Sequence, residues 1–419
     1  MSLFGTDGIR GQWPAEPLSP AVVSALGRAL REQVGDAPVA IARDTRESGA
    51  AVCRALLDGL GGEVIDLGVL PTAGLSVALS DGIAAAGVMV TASHNPWRDN
   101  GVKVMGADGR KRSDEAESAL SDRIRTLGQV PPRPVQRRDE PGFERYIRHV
   151  LARLPKDFSL SGQRIALDAA HGAAWQTAPR VLRELGAEPV VLGCAPDGRN
   201  INEGVGALHP EALVRVVREQ GCAAGIALDG DADRCVLVDE GGEVVDGDGL
   251  LLLLARPPGV VGTVMCNAAL ERALRARGLG LERAAVGDRF VAEGMQALGW
   301  PVGGEPSGHV LFDDGLPTGD GLLTGLRALA GGPLRAQLGG WRPDPQVLVN
   351  VAVSRRVPLD TVPELTAAQA RVLAEGASRV LLRYSGTEAR LRVMVEATDA
   401  AIAQRGAQVL VDCIRQTIA

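Results

Sequence analysis

Apolar and polar positions alternate with two different periods along the first third of the chain. Between Pro20 and Val34 the apolar side chains recur every three or four residues, with Ser19 before the segment and Gly35 after it, which predicts an amphipathic helix. Short apolar runs rich in β-branched residues come next, at 38–42, 63–68 and 85–91. Strands that alternate with helices predict a layered α/β domain.

The same alternation returns twice further along the chain. The second group has apolar runs at 164–172, 188–193 and 225–239, and a third group begins at 262–270. Residues 126–142, before the second group, are rich in proline and charge, which predicts a linker, and a helix is expected around Phe143 to Leu154. The chain therefore carries three variations on one α/β plan.

The last stretch has a different pattern. Residues 347–353 and 379–397 have the apolar character of strands, and an amphipathic pattern runs to Ile418. Antiparallel strands with helices on one face are therefore expected, in a smaller α+β domain.

The composition limits the class of protein. The 419 residues exceed what one hydrophobic core supports, so several domains are expected. The net charge is −6 and no basic cluster is interleaved with aromatic residues, which argues against a nucleic-acid partner. Neither a signal-peptide pattern nor a membrane-length apolar run occurs, so a cytoplasmic protein with no membrane partner is expected. The six cysteines form no CxxC pair and are expected to be reduced thiols.

Three carboxylates follow the strand-like run GIALD. Asp229, Asp231 and Asp233 alternate with small residues, so their oxygens can converge on one hard cation, Mg²⁺ or Ca²⁺. An EF-hand loop is the competing interpretation, because Glu240 falls at its twelfth position, but Arg234 replaces the required glycine and the flanks read as strands. The pattern favours a metal site at a strand end, with a bare acidic turn as the remaining alternative.

Ser93 lies just after another apolar strand, in the segment TASHNP. The Asn95–Pro96 pair predicts a turn that presents the Ser93 hydroxyl to a cleft, as for a nucleophile. Taken alone, a serine in a turn is more often a cap or a turn former. The chain has no GxSxG elbow, which disfavours a serine hydrolase.

Two further loops offer groups that bind phosphate and sugar. The loop between the last predicted strands carries a guanidinium, two hydroxyls and free backbone N–H groups, at Arg383, Ser385, Gly386 and Thr387. An ordinary hairpin turn is the alternative there. Glu305, Ser307 and His309 lie among glycines and offer mixed partners for sugar hydroxyls. Arg10 and Lys103 follow glycine-bearing turns and are candidates for a phosphate contact or for proton transfer.

Four ordered motifs together resemble the α-D-phosphohexomutase superfamily: TASHNP at 91–96, DGDADR at 229–234, GEPSGH at 304–309 and RYSGTE at 383–388. The resemblance runs almost from end to end. It is closest to the bacterial phosphoglucosamine mutase branch, through FGTDGIRG at 4–11, NINEGVGALHPEAL at 200–213 and VGDRFV at 286–291. Pro306 departs from that branch, which usually has Gln or Asn there.

The resemblance implies a heart-shaped fold with a central cleft, built from three similar α/β mixed-sheet domains and a C-terminal α+β domain. The expected domains are 1–154 with the phosphoserine loop, 155–249 with the metal-binding loop, 250–343 with the sugar-binding loop and 344–419 with the phosphate-binding loop.

The resemblance also implies an intramolecular phosphotransferase that interconverts glucosamine 6-phosphate and glucosamine 1-phosphate, on the route to UDP-N-acetylglucosamine and the cell wall. Ser93 would be a phosphoserine, with one Mg²⁺ per subunit held by its phosphate oxygen, Asp229, Asp231 and Asp233. Glucosamine 1,6-bisphosphate or a similar sugar bisphosphate would be the intermediate and activator, and a homodimer is expected.

The remaining residues receive roles by the same resemblance. The residues expected to stabilise charge or transfer protons are His94, Lys103, Arg10, Arg234 and His309. The residues expected to bind substrate are Glu305, Ser307, Arg383, Ser385, Gly386 and Thr387. A phosphomannomutase or phosphoglucomutase is the alternative enzyme, and a non-catalytic sugar-phosphate sensor is the alternative from another class.

Overall fold

The computed structural model describes residues 3–5, 7–314, 316–385 and 389–418. The chain divides into two compact units. Unit 1 comprises Met1–Met265 and Leu281–Gly340, and unit 2 comprises Cys266–Gly280 and Trp341–Ala419.

The helices of the described residues are α1 (Pro20–Val34), α2 (Gly49–Leu60), α3 (Thr72–Ser80), α4 (Asp114–Leu127), α5 (Phe143–Ala152), α6 (Thr177–Glu184), α7 (Glu211–Gln220), α8 (Gly247–Leu254), α9 (Ala268–Ala276), α10 (Asp288–Leu298), α11 (Gly321–Leu329), α12 (Leu334–Leu338), α13 (Pro363–Ala374) and α14 (Ala400–Thr417). The strands are β1 (Ile9–Gln12), β2 (Val39–Arg43), β3 (Gly62–Val69), β4 (Ala86–Val90), β5 (Asp99–Gly106), β6 (Val135–Asp139), β7 (Arg164–Asp168), β8 (Glu188–Leu192), β9 (Ala224–Leu228), β10 (Cys235–Val238), β11 (Val244–Val245), β12 (Gly259–Thr263), β13 (Gly280–Ala284), β14 (Val302–Gly304), β15 (Val310–Phe312), β16 (Gln346–Ala352), β17 (Arg379–Tyr384) and β18 (Arg390–Glu396).

Helix α1 begins and ends as its sequence predicts. The Ser19 hydroxyl accepts a hydrogen bond from the Val22 amide at 3.3 Å, Pro20 occupies the first turn, and Gly35 ends the helix with a φ of 63°. Its buried face packs on α2 so closely that a Cβ added to Gly59 would lie 1.8 Å from the Ser24 carbonyl oxygen. The two helices cover one face of the first sheet.

The first sheet has six strands in the order β1-β5-β4-β2-β3-β6. Strands β4, β2, β3 and β6 run parallel, and β5 is antiparallel to β4 and β1. The predicted linker at 126–142 is wrong in its middle part, because β6 is the sixth strand of this sheet. Four of the five β6 residues are exposed, so the strand has no apolar pattern by which the sequence could predict it. Backbone pairing with β3 holds β6 at the edge of the sheet.

The second and third sheets, also in unit 1, have the orders β11-β10-β9-β7-β8 and β13-β12-β14-β15. Strands β7, β8, β9 and β10 match the predicted runs, whereas the run predicted at 262–270 overlaps β12 only at its start and extends into α9. Strands β9 and β10 form an antiparallel hairpin around the three aspartates. Flanking strands exclude the EF-hand alternative, which requires helices on both sides of its loop.

Unit 2 contains an antiparallel sheet of order β16-β18-β17, with α9, α13 and α14. Its core includes Leu391, Val393 and Val395 of β18 and Leu410 and Ile414 of α14, as the sequence predicts for a smaller α+β unit. Helix α9 lies within the sequence range predicted for the third domain, yet it belongs to this unit. Asn267 caps it, and Arg272 pairs with Asp344 at 2.6 Å.

The cysteines agree with the expectation of reduced thiols. All six cysteines are free thiols, and Cys53, Cys222, Cys235 and Cys266 are buried. Among the described residues, no helix combines the length and the apolar character that crossing a membrane requires.

Candidate active site

Ser93 lies in the turn that follows β4, and its side chain points at the metal loop. Its φ of 51° is in the left-handed region, which a non-glycine residue adopts only when its surroundings hold it there. The Ser93 hydroxyl donates a hydrogen bond to Oδ2 of Asp229 at 2.7 Å, and only 1% of the residue is exposed. A nucleophile candidate and a metal-ligand candidate, 136 positions apart in sequence, are therefore in direct contact.

The three aspartates lie in the β9–β10 turn and form a site of three buried carboxylates. One oxygen from each of Asp229, Asp231 and Asp233 lies within 4.8 Å of the others. Oδ1 of Asp231 and Oδ1 of Asp233 are buried without a hydrogen-bond partner, which is costly unless a cation binds them. Converging hard oxygens with two unsatisfied atoms fit a Mg²⁺-type ion.

Lys103 faces the same carboxylates from β5. Its Nζ lies 2.8 Å from Oδ2 of Asp231, 2.9 Å from Oδ2 of Asp7 and 3.4 Å from Oδ2 of Asp233. Burial lowers the pKa of Lys103, but these carboxylates outweigh burial and raise the pKa well above its usual value. The side chain is an ammonium ion that partly neutralises the acidic cluster.

The pKa values of Asp229 and Asp233 are shifted in opposite directions. Burial, followed by the charges of Asp233 and Asp231, raises the pKa of Asp229 well above its usual value. Burial also opposes ionisation of Asp233, but Lys103 and His309 reverse the effect and hold the pKa of that carboxyl well below its usual range. A bound cation would favour the ionised form of every carboxylate in the cluster.

The two histidines near the site differ in charge. Burial, together with Arg234 and Arg10, lowers the pKa of His94 to about 4, so its imidazole is neutral at pH 7, with Nδ1 3.3 Å from the Ser93 hydroxyl oxygen. Burial lowers the pKa of His309, but Asp233 more than offsets it and raises the pKa to about 9. Nδ1 of His309 lies 3.7 Å from Oδ1 of Asp233, so these two groups form a buried ion pair.

Arg10 contacts the Ser93 loop and Arg234 contacts the metal-binding loop. Arg10, on β1, donates hydrogen bonds to the Ala92 carbonyl and to Oδ1 of Asn95, both at 3.3 Å, and pairs with Asp7. Arg234 donates its backbone N–H to Oδ1 of Asp229 at 3.2 Å, and its guanidinium Nε lies 3.8 Å from Asp233. Both cations are therefore close to the position where phosphate charge would develop.

The predicted sugar loop connects β14 to β15. Oε1 of Glu305 accepts a hydrogen bond from the Gly287 amide at 3.0 Å, and the Ser307 hydroxyl donates to Oε2 at 3.4 Å. The loop presses on β10 at Gly308, where φ is 87° and an added Cβ would lie 2.0 Å from the Cys235 carbonyl oxygen. Because only glycine fits there, the loop presents Glu305 and Ser307 in a fixed arrangement.

The predicted phosphate loop follows β17 in unit 2. Arg383 lies directly across from Arg392 on β18, and Ser385 is buried with its amide donating to the Arg390 carbonyl at 2.9 Å. Burial, with a contribution from Arg392, lowers the pKa of Arg383. Two facing guanidinium groups repel each other unless an anion lies between them, which suits a phosphate. The candidates Gly386 and Thr387 lie outside the described residues.

Sequence reasoning missed several residues that complete the site. Asp7 pairs with Lys103, the Thr72 hydroxyl donates to Oδ2 of Asp231 at 2.7 Å, and Nδ2 of Asn202 donates to the Ser93 carbonyl at 2.8 Å. Asp7 lies inside the motif FGTDGIRG, and a polar residue within a quoted motif was a usable signal. Thr72 gave none, because a threonine that opens a helix is ordinary.

In unit 1 the structure brings together one hydroxyl, three carboxylates, a buried ammonium and a protonated imidazole. Such an arrangement suits transfer of a phosphoryl group to and from the hydroxyl, with a cation neutralising the charge. A glycosidase or a protease has no use for a hydroxyl that is hydrogen-bonded to a metal-type carboxylate cluster. Phosphoryl transfer is the chemistry that this geometry supports best.

Family models match nearly the whole chain. The models of the phosphoglucomutase/phosphomannomutase family match as alpha/beta/alpha domain I at residues 1–130, domain II at 144–242, domain III at 246–331 and the C-terminal domain at 348–412.

Relatives that match this chain over its full length carry the name phosphoglucosamine mutase. The chain is 44% identical to the phosphoglucosamine mutase of Symbiobacterium thermophilum, over 99% of this chain and 98% of the relative. It is 42% identical to the phosphoglucosamine mutase of a Psychrobacter species, over 100% of both chains.

Solved structures agree at the level of the fold. A phosphoglucomutase/phosphomannomutase family protein from Burkholderia thailandensis is 27% identical, with a TM-score of 0.78 over 99% of this chain and 98% of the other. The N-acetylphosphoglucosamine mutase of Aspergillus fumigatus, solved with GlcNAc-6P and magnesium, is 18% identical, with a TM-score of 0.68 over 99% and 96% of the two chains.

Proposed function

The chain belongs to the phosphoglucomutase/phosphomannomutase family, and we propose that it is a phosphoglucosamine mutase that interconverts glucosamine 6-phosphate and glucosamine 1-phosphate. One observation carries the chemistry: the Ser93 hydroxyl is 2.7 Å from Oδ2 of Asp229, within a cluster of three buried aspartates. The sugar is supported by relatives named phosphoglucosamine mutase at 42% and 44% identity over the full length.

We propose that the working enzyme carries a phosphoryl group on Ser93. In the first half-reaction the P–Oγ bond breaks and a P–O bond forms to O1 of glucosamine 6-phosphate. The O1 hydroxyl gives its proton to a basic group, and Oγ regains a proton. The resulting 1,6-bisphosphate turns over, and its 6-phosphoryl group returns to Ser93 by the same exchange in reverse.

Asp229, Asp231 and Asp233, together with an oxygen of the phosphoserine, would hold a Mg²⁺ ion, which would neutralise charge on the transferring group. Lys103 or His309 is proposed for the proton step, as the donor that returns a proton to Oγ, because each is buried and protonated beside the acidic cluster. His94, a neutral imidazole, is proposed to orient the phosphoserine. Arg10 and Arg234 are proposed to stabilise the phosphate charge.

Substrate binding is assigned to two loops. Glu305 and Ser307 are proposed to bind ring hydroxyls, since their side chains are fixed by Gly287 and by each other. Arg383, Ser385, Gly386 and Thr387 are proposed to bind the phosphate that the substrate already carries, with the bidentate geometry that arginine offers to a phosphate. A sugar 1,6-bisphosphate is proposed as activator, because a phosphoserine lost to water needs a phosphoryl donor. We also propose a cytoplasmic homodimer with a hexosamine phosphate substrate.

The test is turnover of three sugars. Purified, phosphorylated protein with Mg²⁺ and a trace of hexose 1,6-bisphosphate is incubated separately with glucosamine, glucose and mannose 6-phosphates, and 1-phosphate formation is followed by ³¹P NMR. Fastest turnover of glucosamine 6-phosphate is expected. Faster turnover of glucose or mannose would reassign the enzyme as a phosphoglucomutase or phosphomannomutase, and inertness toward all of them would favour a sugar-phosphate sensor.

A further inference from the structure

Arg46 lies beneath the Ser93 loop, in the segment between β2 and α2, and has no assigned role. Its side chain is completely buried, and so is that of its partner Asp44. An unneutralised arginine is rarely buried, so both the charge and the hydrogen bonds of this residue require partners. Asp44 supplies the charge: its Oδ2 accepts a hydrogen bond from Arg46 Nε at 2.9 Å.

The rest of the guanidinium binds the backbone of the nucleophile loop. Nη2 donates to the carbonyl oxygens of Ser93 at 2.9 Å and Asn95 at 2.8 Å. Nη1 donates to the carbonyl oxygens of Pro96 and Asp99, the latter at 2.9 Å. A guanidinium has five N–H donors, and here every donor has an acceptor. Four of those acceptors are backbone carbonyls of the loop that carries Ser93, at residues 93, 95, 96 and 99.

Asp44 supports the same loop from its other end. Its Oδ2 accepts a hydrogen bond from the Thr91 hydroxyl at 2.6 Å, and the Thr91 hydroxyl oxygen in turn accepts the Ser93 amide at 2.9 Å. The Asp44–Arg46 pair therefore contacts Ser93 through both its amide side and its carbonyl side. Between these two supports, Ser93 keeps a φ of 51°, the conformation in which its hydroxyl reaches Asp229.

We propose that Arg46 is a positioning residue for the nucleophile: it holds the Ser93 backbone in its left-handed conformation and so aims Oγ at the metal-binding aspartates. The inference rests on the proposed phosphomutase function. The described contacts of Arg46 are with loop carbonyls and Asp44 and not with Oγ, so it acts through Ser93. Among the described residues of unit 1, no other side chain binds the loop carbonyls at as many points; Asn202 binds two of them.

Lysine cannot replace this side chain. Its ammonium has three donors at a single point, whereas the acceptors of Arg46 are spread over residues 93–99. Arg46→Lys keeps the charge opposite Asp44 but leaves loop carbonyls unpaired, so the loop relaxes and Oγ shifts. A displacement of about 1 Å at a reacting group costs about 10²-fold in rate.

The experiment compares wild type, Arg46→Lys and Arg123→Lys. Arg123 donates two hydrogen bonds to Glu32 on the surface. Its replacement by lysine removes this bidentate pair without touching the Ser93 loop. Each protein is phosphorylated with hexose 1,6-bisphosphate, and the phosphate bound to Ser93 is counted by intact mass, so that rates refer to competent molecules. We expect the kcat of Arg46→Lys to fall about 10²-fold, with KM changed by no more than about twofold, and Arg123→Lys to match wild type.

A second measurement does not depend on turnover. Hydrogen exchange of the unphosphorylated proteins is followed by mass spectrometry, with peptides from 91–99 and from helix α7, which packs on β7, β9 and β10 in the same unit, compared. Arg46→Lys should speed exchange in 91–99 by about tenfold or more and leave α7 unchanged. A purely structural role would speed exchange in both segments and lower the competent fraction, without lowering kcat per phosphorylated molecule.

The outcomes separate this inference from the proposed function. If wild type turns over sugar phosphates and the kcat of Arg46→Lys per phosphorylated molecule equals it, the positioning role is wrong and the mutase stands. If wild type is inert toward every sugar, the mutase proposal fails, and exchange at 91–99 decides the positioning role alone: local acceleration supports it, and unchanged exchange overturns it.

Discussion

The ammonium nitrogen of Lys103 lies 2.8 Å from Oδ2 of Asp231, and both side chains are buried. The Thr72 hydroxyl donates to the same carboxylate oxygen, which leaves Oδ1 of Asp231 as its unsatisfied atom. One oxygen is thus committed to the protein and the other is available to a cation. Lys103 and a metal ion can therefore act on Asp231 together, and their effects on stability should be coupled.

Replacing Lys103 tests that coupling. Lys103→Met leaves the carboxylates of Asp7, Asp231 and Asp233 without their buried counter-charge, and removing one partner of a buried pair costs about 3–5 kcal/mol. We expect urea unfolding to show that loss without metal and a smaller one at saturating Mg²⁺, because the ion supplies the missing positive charge. An equal loss in both conditions would show that Lys103 and the metal do not share the cluster.

Removal of the metal should lower stability as well as activity. Binding to the folded state at 100 times Kd stabilises it by about 2.7 kcal/mol, so Mg²⁺ should raise the Tm and EDTA should reverse the rise. Asp231→Asn should lose most of this Tm shift. Asp122→Asn, on the exposed face of α4, is the matched control and should keep it. A full Mg²⁺ shift in Asp231→Asn would contradict the assignment of the metal site.

Ser93→Ala should abolish turnover while the fold persists. The hydroxyl is the only group of Ser93 that the substitution removes, so the loss of rate should be about 10³-fold or more, as for other nucleophile deletions. Intact mass after incubation with hexose 1,6-bisphosphate should show no added phosphate, whereas Ser113→Ala, at the cap of α4, should still gain one. Full activity in Ser93→Ala would reject the nucleophile assignment.

Asp320 gives a pH-dependent contribution to stability. It caps α11 and accepts a hydrogen bond from the buried Tyr146 hydroxyl at 2.9 Å, and burial raises its pKa to about 6. Because the folded-state pKa lies above the unfolded one, its favourable contribution is complete below about pH 4 and is lost as the pH rises through 6. Asp320→Asn keeps a capping oxygen and cannot ionise.

The contribution of Asp320 is measured as the difference in unfolding free energy between wild type and Asp320→Asn. The unfolding free energy of wild type minus that of Asp320→Asn should fall as the pH rises from 4 to 6, measured by urea unfolding at each pH. Tyr146→Phe removes a hydrogen bond that lowers the Asp320 pKa, so it should shift this fall to higher pH. A difference that is flat across this range would contradict the raised pKa.

The sequence by itself determined most elements and the identity of the reactive groups. The helix between Ser19 and Gly35 was readable because its caps and its apolar period are local features, and Asp229, Asp231 and Asp233 were readable because the ligands are adjacent in sequence. Strand β6 was misread as linker, since a charged edge strand is held by backbone pairing that leaves no apolar pattern.

The tertiary structure alone decided how those groups meet. Ser93 contacts Asp229 across 136 positions of sequence, and Lys103 forms an ion pair with Asp231 across 128. The hydrogen bonds of Arg46 to the nucleophile loop span about 50 positions. No local pattern encodes such pairs. Packing of the first sheet against the second creates the two contacts with the aspartates, and the pairing of β2 with β4 within the first sheet brings Arg46 to the nucleophile loop. The same packing sets the pKa values, for burial and neighbouring charges exist only once the chain has folded.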